Sequence, residues 1–235
     1  MRGILIFLFL ICQFLTCAQT KVYLFPGQGA DKRLFDSLQL AGDYDTEVIE
    51  YGCPSKHETM QEFAVSLLSR IDTTQPFILI GTSLGGMLCV ELSQICHPQK
   101  TIIISSAKSR SELPFRYRFQ KVIPLYKIVP PVLIKFGAEF LQPIVEPDRN
   151  LCKSTFKAML RDKSPRYMKN TIAMIINWSR TQNSTNIFHI HGTSDHTLPI
   201  RKIKSKHIAV INGSHMMTLT RGRELSNLLL QVLND

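Results

Sequence analysis

A chain of 235 residues, 44% apolar and 20% charged, is long enough for one sizeable core. This composition excludes a collagen, a coiled coil and bulk disorder. The net charge of +10 is unevenly placed, with 15 Lys or Arg against 5 Asp or Glu between Lys108 and Asn186 and 13 of each elsewhere. No nucleic-acid module motif accompanies that basic block, so nucleic acid is not an expected partner. The block reads either as a solvated helical surface or as a patch facing an anionic envelope or an acidic substrate.

The first eighteen residues stand apart. Arg2 supplies a positive start, Ile4 to Leu15 is apolar apart from Gln13, and Thr16-Cys17-Ala18 offers small residues. That is the layout of a secretory signal peptide cleaved near Ala18, which predicts an exported protein, periplasmic or secreted. The apolar run is short for a membrane-spanning helix, although an uncleaved anchor is the competing reading. Lipid attachment at Cys17 is the weaker alternative, because Phe14 and Thr16 suit it poorly. Four cysteines remain, Cys53, Cys89, Cys96 and Cys152, with no disulfide framework in their spacing. Cys89 and Cys96 fall on one predicted helix about 10.5 Å apart in rise, too far to bond, and the cysteines read as buried free thiols.

Val22 to Phe25 predicts a strand ending at Pro26-Gly27, and Thr46 to Glu50 a second. Glu58 to Ile71 has helical periodicity, with Phe63, Leu67 and Ile71 on one face. Phe77 to Ile80 is an apolar strand, Leu84 to Cys96 a helix closed by His97-Pro98, and Thr101 to Ile104 another apolar strand. Such runs predict a parallel sheet covered on both faces. Lys108 to Asn183 contains no strand pattern and is cut by prolines into short helices. Tyr126 to Phe140 is its most apolar part, and Tyr167 to Trp178 is helical. Alternation resumes with strands Ile187 to Ile190 and Ile208 to Ile211 and a closing helix from Met217 to Leu233. The middle block is therefore an insertion, a lid or a second lobe. Tyr126 to Phe140 reads as lid packed on the site, with an element lying on a membrane as the alternative. On the lid reading, Arg116, Arg118 and Lys121 belong on its outer face.

Gly81-Thr82-Ser83-Leu84-Gly85 lies between an apolar strand and a helix. The glycines let strand and helix approach closely, and the sharp turn exposes the Ser83 hydroxyl at a helix N-terminus. Asp195, in His191-Gly192-Thr193-Ser194-Asp195, and His215, in Gly213-Ser214-His215, each follow a later strand. Strand ends of a parallel sheet share one rim, so Ser83, Asp195 and His215 can converge there. Asp148, within the insertion, is the competing acid. The loop Pro26-Gly27-Gln28-Gly29 ends the first strand, and the N–H groups of Gln28 and Leu84 are candidates to hold an oxyanion. His189, His191, Asp195 and His196 faintly suggest a metal cluster, but the spacing does not fit a zinc pattern and two of the histidines sit on a central strand. Met216 and Trp178 are either core residues or walls of a substrate pocket.

These motifs resemble the α/β-hydrolase superfamily, over nearly all of Val22 to Leu233, and most closely its small capped bacterial serine hydrolases and esterases. The resemblance implies a mostly parallel sheet of about six strands with helices on both faces. It places a core at 19–107 and 184–235 and a helical lid at 108–183. It implies a Ser83–His215–Asp195 triad cleaving an ester or amide of a small to medium apolar acyl substrate, with no cofactor and no metal. Two departures stand out: Pro26 where many members carry histidine, and an expected start at the fold's third strand. Acyl transfer by the same triad and a non-catalytic binding protein on the same scaffold are the rival readings.

Overall fold

The computed structural model describes residues 19–40, 42–145, 148–182 and 186–234. The expected signal peptide, residues 1–18, lies outside them. Six strands, β1 (Thr20–Phe25), β2 (Tyr44–Val48), β3 (Phe77–Thr82), β4 (Lys100–Ile104), β5 (Ile187–Gly192) and β6 (Ile208–Val210), form one parallel sheet in the order β2-β1-β3-β4-β5-β6. Leu24 pairs with Ile80, Ile80 with Ile102 and Ile103 with His189 across the centre. The two-residue period of a strand divides the apolar runs between two cores. Tyr23, Phe25, Leu79 and Ile103 pack under α1 (Met60–Leu67) and α2 (Leu84–Ser93). Val22, Leu24, Ile80, Ile102 and Ile190 pack on the opposite side with Met217, Leu225 and Leu229 of the C-terminal helices.

Local chemistry sets most boundaries. Helix α1 opens with a capping box, in which Thr59 and Glu62 satisfy each other's backbone N–H groups. It tightens into a 3-10 turn at Leu68–Arg70, so the predicted helix is shorter at both ends. The α2 helix stops at Ser93, three residues before Cys96. The second strand lies two residues earlier than predicted, and the last ends at Val210, leaving Ile211 67% exposed. Between β4 and β5 come α3 (Phe115–Gln120), α4 (Leu125–Ile128), α5 (Pro131–Val145), α6 (Lys153–Asp162) and α7 (Pro165–Asn177). The closing helix is two, α8 (Met217–Thr220) and α9 (Gly222–Asn234). Gly222 presses so closely on Ser37 that a side chain there would collide with it.

The insertion is not a detachable layer. Leu113, Tyr167, Met168, Met174, Ile175 and Trp178 all belong to the core shared with α1 and α2. The apolar run in α5 is divided: Ile134 and Ala138 turn toward that core, whereas Val132, Leu133, Phe136 and Phe140 are 57–69% exposed. Four large apolar side chains of α5 thus face outward rather than packing inward as the lid reading expected. Arg116, Arg118 and Lys121 are exposed, as expected of an outer surface.

Candidate active site

Strand β3 runs into α2 through Ser83, whose backbone has φ 53° and ψ −118°. A non-glycine residue with positive φ is held there only by its surroundings. The Ser83 N–H donates to the Ile104 carbonyl at 2.9 Å, and its own carbonyl accepts from Ser106 Oγ at 2.6 Å. The flanking glycines are required by space. A Cβ on Gly81 would strike the Gly85 carbonyl, and one on Gly85 would strike the Phe25 and Pro26 carbonyls. Leu84 begins α2, so its N–H and the positive end of that helix face the serine.

His215 Nε2 lies 2.9 Å from Ser83 Oγ, and its Nδ1 lies 2.8 Å from Asp195 Oδ2. The other carboxylate oxygen, Oδ1, accepts the Leu198 N–H at 2.6 Å. Asp195 is 2% exposed and His215 7%, while Ser83 is half-buried. The serine hydroxyl is thus the open end of a buried chain of polar groups. Asp148 stands elsewhere, accepting from Thr220 Oγ1.

A second buried chain lies behind the first. His191 Nε2 is 2.7 Å from the Leu198 carbonyl, so it carries a proton and donates. Its Nδ1 is left to accept from His189 Nε2 at 3.0 Å, and His189 Nδ1 accepts from Ser205 Oγ at 3.3 Å. Burial pushes the pKa of His189 far below the ordinary histidine range, and that of His191 down as well. Both rings are therefore neutral, and they spend their nitrogens on each other and on the loop that carries Leu198. Among the described residues no group of His, Cys, Asp or Glu is arranged to hold a metal ion.

A cavity of about 130 Å³ opens beside Ser83 and His215. Gln28 and Met87 wall it from the sheet side, and Tyr117, Ala138, Phe156, Leu160, Met168 and Ile175 wall it from the insertion. Gln28 ties these two walls together, since its Nε2 donates to Thr171 Oγ1 at 2.7 Å and to the Met168 carbonyl at 3.2 Å. Neither pocket residue suggested by the sequence lines this cavity. Trp178 is 2% exposed in the core, its Nε1 donating to Glu91 Oε1 at 2.7 Å beside the Arg180–Glu91 ion pair. Met216 packs into the core on the other side of the sheet. A lone carboxylate in the apolar run of α2 is the sequence signal that this tryptophan had a buried partner to meet. The Leu198 N–H went unforeseen, although a carboxylate three residues before a backbone donor is a common local turn. The four cysteines are unbonded, but of the four only Cys89 is buried; Cys96 and Cys152 are half-buried and Cys53 is exposed.

No protein-family model and no curated protein sequence matches the chain. Solved structures do match in shape. A thermophilic esterase from Thermogutta terrifontis superposes with a TM-score of 0.63 at 13% identity, covering 92% of this chain and 90% of that one. A carboxylesterase of Nitrososphaera gargenis gives 0.67 at 15% identity over 93% and 91%. A non-heme bromoperoxidase homologue from Mycobacterium tuberculosis gives 0.66 at 13% over 92% of each chain. The six-stranded parallel sheet with its flanking helices is the α/β-hydrolase fold. That fold carries several chemistries, so function has to be argued from the site.

Proposed function

We propose that the protein is a serine hydrolase that cleaves an ester or amide of a small to medium apolar acyl group through an acyl-enzyme on Ser83. The observation that carries this reading is the unbroken hydrogen-bonded chain from Ser83 Oγ through His215 to Asp195. Ser83 Oγ attacks the acyl carbonyl carbon while its proton passes to His215 Nε2. Asp195 holds His215 Nδ1–H and stabilises the cationic ring that results. The carbonyl oxygen, now an oxyanion, is received by the N–H groups of Gln28 and Leu84. The C–O or C–N bond to the leaving group then breaks, and His215 returns the proton to that group. Water enters, gives a proton to His215 Nε2 and attacks the acyl carbon, releasing the acid and restoring Ser83. No cofactor takes part in this cycle.

Residues 108–183 act as a cap in this reading. The cap supplies most of the apolar wall of the cavity, including Leu160 and Met168. At about 130 Å³ the cavity is smaller than drug-sized sites, which favours a short acyl group. The names of the structural neighbours, esterases among them, support ester cleavage. The basic start and apolar run before Ala18 support export with cleavage there, in which case the mature protein begins at Gln19 on N-terminal sequencing.

A fluorophosphonate probe tests the mechanism. It labels Ser83 in the parent protein and nothing in Ser83→Ala, and that variant loses turnover of a soluble ester by about 10⁶ while staying folded. Substantial turnover by folded Ser83→Ala removes the proposed nucleophile. Failure of the parent to label leaves a binding protein on a hydrolase scaffold.

A further inference from the structure

Of the fourteen large apolar side chains exposed among the described residues, ten lie between Phe115 and Phe140. Helices α3, α4 and α5, which hold most of them, pack against α7, and each turns apolar groups outward. Val122 and Ile128 are each 79% exposed, and Phe136 and Phe140 stack on each other at 6.4 Å. A monomer in water does not tolerate this much exposed apolar surface without a use for it. The same stretch carries Arg116, Arg118, Lys121, Lys127 and Lys135 against a single acid, Glu139. Beside α4 a groove of about 780 Å³ adds Lys56, Arg166 and Lys169 to Lys127, with Glu58 as its one carboxylate.

We propose that the outer face of α3, α4 and α5 docks onto an anionic lipid surface. Apolar side chains interspersed with cations fit an interface in which acyl chains and negative headgroups lie within a few ångströms of each other. A second copy of this chain is a poor occupant, because it would bring two sets of like charges together. The inference does not rest on the proposed hydrolysis, since the docking face shares no residue with Ser83, His215 or Asp195. It does give the cavity a location. The opposite side of α5 places Ala138 in the wall of the Ser83 pocket, so docking brings the pocket to within about one helix diameter, roughly 10 Å, of the lipid.

The test is sedimentation of the full chain with vesicles. Binding is expected to mixed phosphatidylglycerol–phosphatidylcholine vesicles and to weaken sharply with pure phosphatidylcholine or high salt. Lys121→Gln with Lys127→Gln should lower partition by about 25-fold, at about fivefold per cation. Ile128→Ser, Phe136→Ser and Phe140→Ser should each lower it by about tenfold. All five positions are exposed, so the variants should keep the parent's unfolding temperature and its turnover of a soluble ester. The N-terminal run is common to every variant, so equal partition by parent and variants overturns the proposal. So does light scattering that shows a dimer broken into monomers by Phe136→Ser. Ser83→Ala should bind vesicles like the parent, which separates this inference from the catalytic one.

Discussion

Asp195→Asn tests the site most sharply, because the structure dictates how the amide must sit. Asp195 Oδ1 accepts the Leu198 N–H at 2.6 Å in a site closed to water. An NH₂ group at that position would oppose donor to donor, a buried clash worth a few kcal/mol. The asparagine carbonyl therefore stays on Leu198, and its NH₂ takes the place of Oδ2. His191 Nε2, 3.4 Å from that oxygen, is too distant to reverse the choice. The new donor faces His215 Nδ1, which must become an acceptor. The imidazole proton then moves to Nε2 and points at Ser83 Oγ, so the ring cannot take the serine proton. The same exchange in a trypsin-type triad costs about 10⁴ in kcat, or about 5 kcal/mol of barrier. We expect a loss of that order on a soluble short-chain ester, with KM and the unfolding temperature little changed. Nitrogen NMR of His215 should show the proton on Nε2. A kcat within tenfold of the parent, or a proton still on Nδ1, would refute the reasoning.

Three further outcomes follow from the packing. Gly85→Ala sets a Cβ against the backbone carbonyls of Phe25, the last residue of β1, and of Pro26, which is held by the Tyr51 hydroxyl, and should cost about 3 kcal/mol, or roughly 6–12 °C in thermal unfolding. Trp178→Phe removes one donor from Glu91 but leaves Arg180 in place, so urea unfolding should show a loss of about 1–2 kcal/mol with ester turnover within about twofold of the parent. His189 and His191 stay neutral in the fold, whereas the unfolded chain protonates them below about pH 6.5. The unfolded state then binds more protons, so stability is complete above that pH and falls as the pH drops below it. Urea midpoints at about pH 7.5 and 5.5 should show the decline, and His189→Gln should make it shallower.

The central strands were legible because a strand buried on both faces leaves a plain apolar run, as in Phe77 to Ile80 and Thr101 to Ile104. The edges were not. Strand β2 is mostly exposed and mostly polar, so its register came from its pairing with β1 rather than from its own pattern. The break at Arg221 falls where Gly222 approaches Ser37, a contact between distant parts of the chain. At the site, the positions of Ser83, Asp195 and His215 just past β3, β5 and β6 were enough to bring them together. For Trp178 and Met216 the sequence left core and pocket wall open, because residue type does not say which way a side chain points; the structure places both in the core. The division of α5 into a buried and an exposed face escaped notice for a related reason: both faces are apolar, so the sequence carries no contrast to betray them.

The bond from Gln28 to Thr171 makes the loop beside Ser83 hang from α7, the helix that walls the neighbouring cavity. If residues 108–183 act as the proposed cap, its helices are the natural place to accept new side chains. On the proposed mechanism, a change that tilts α7 would also drag the peptide at Gln28, and with it the N–H assigned there to the oxyanion. Breadth of substrate and speed of turnover are then inherited as one trait rather than two. Homologues that have exchanged Thr171 for a residue unable to accept that hydrogen bond should be those in which the cap has drifted furthest.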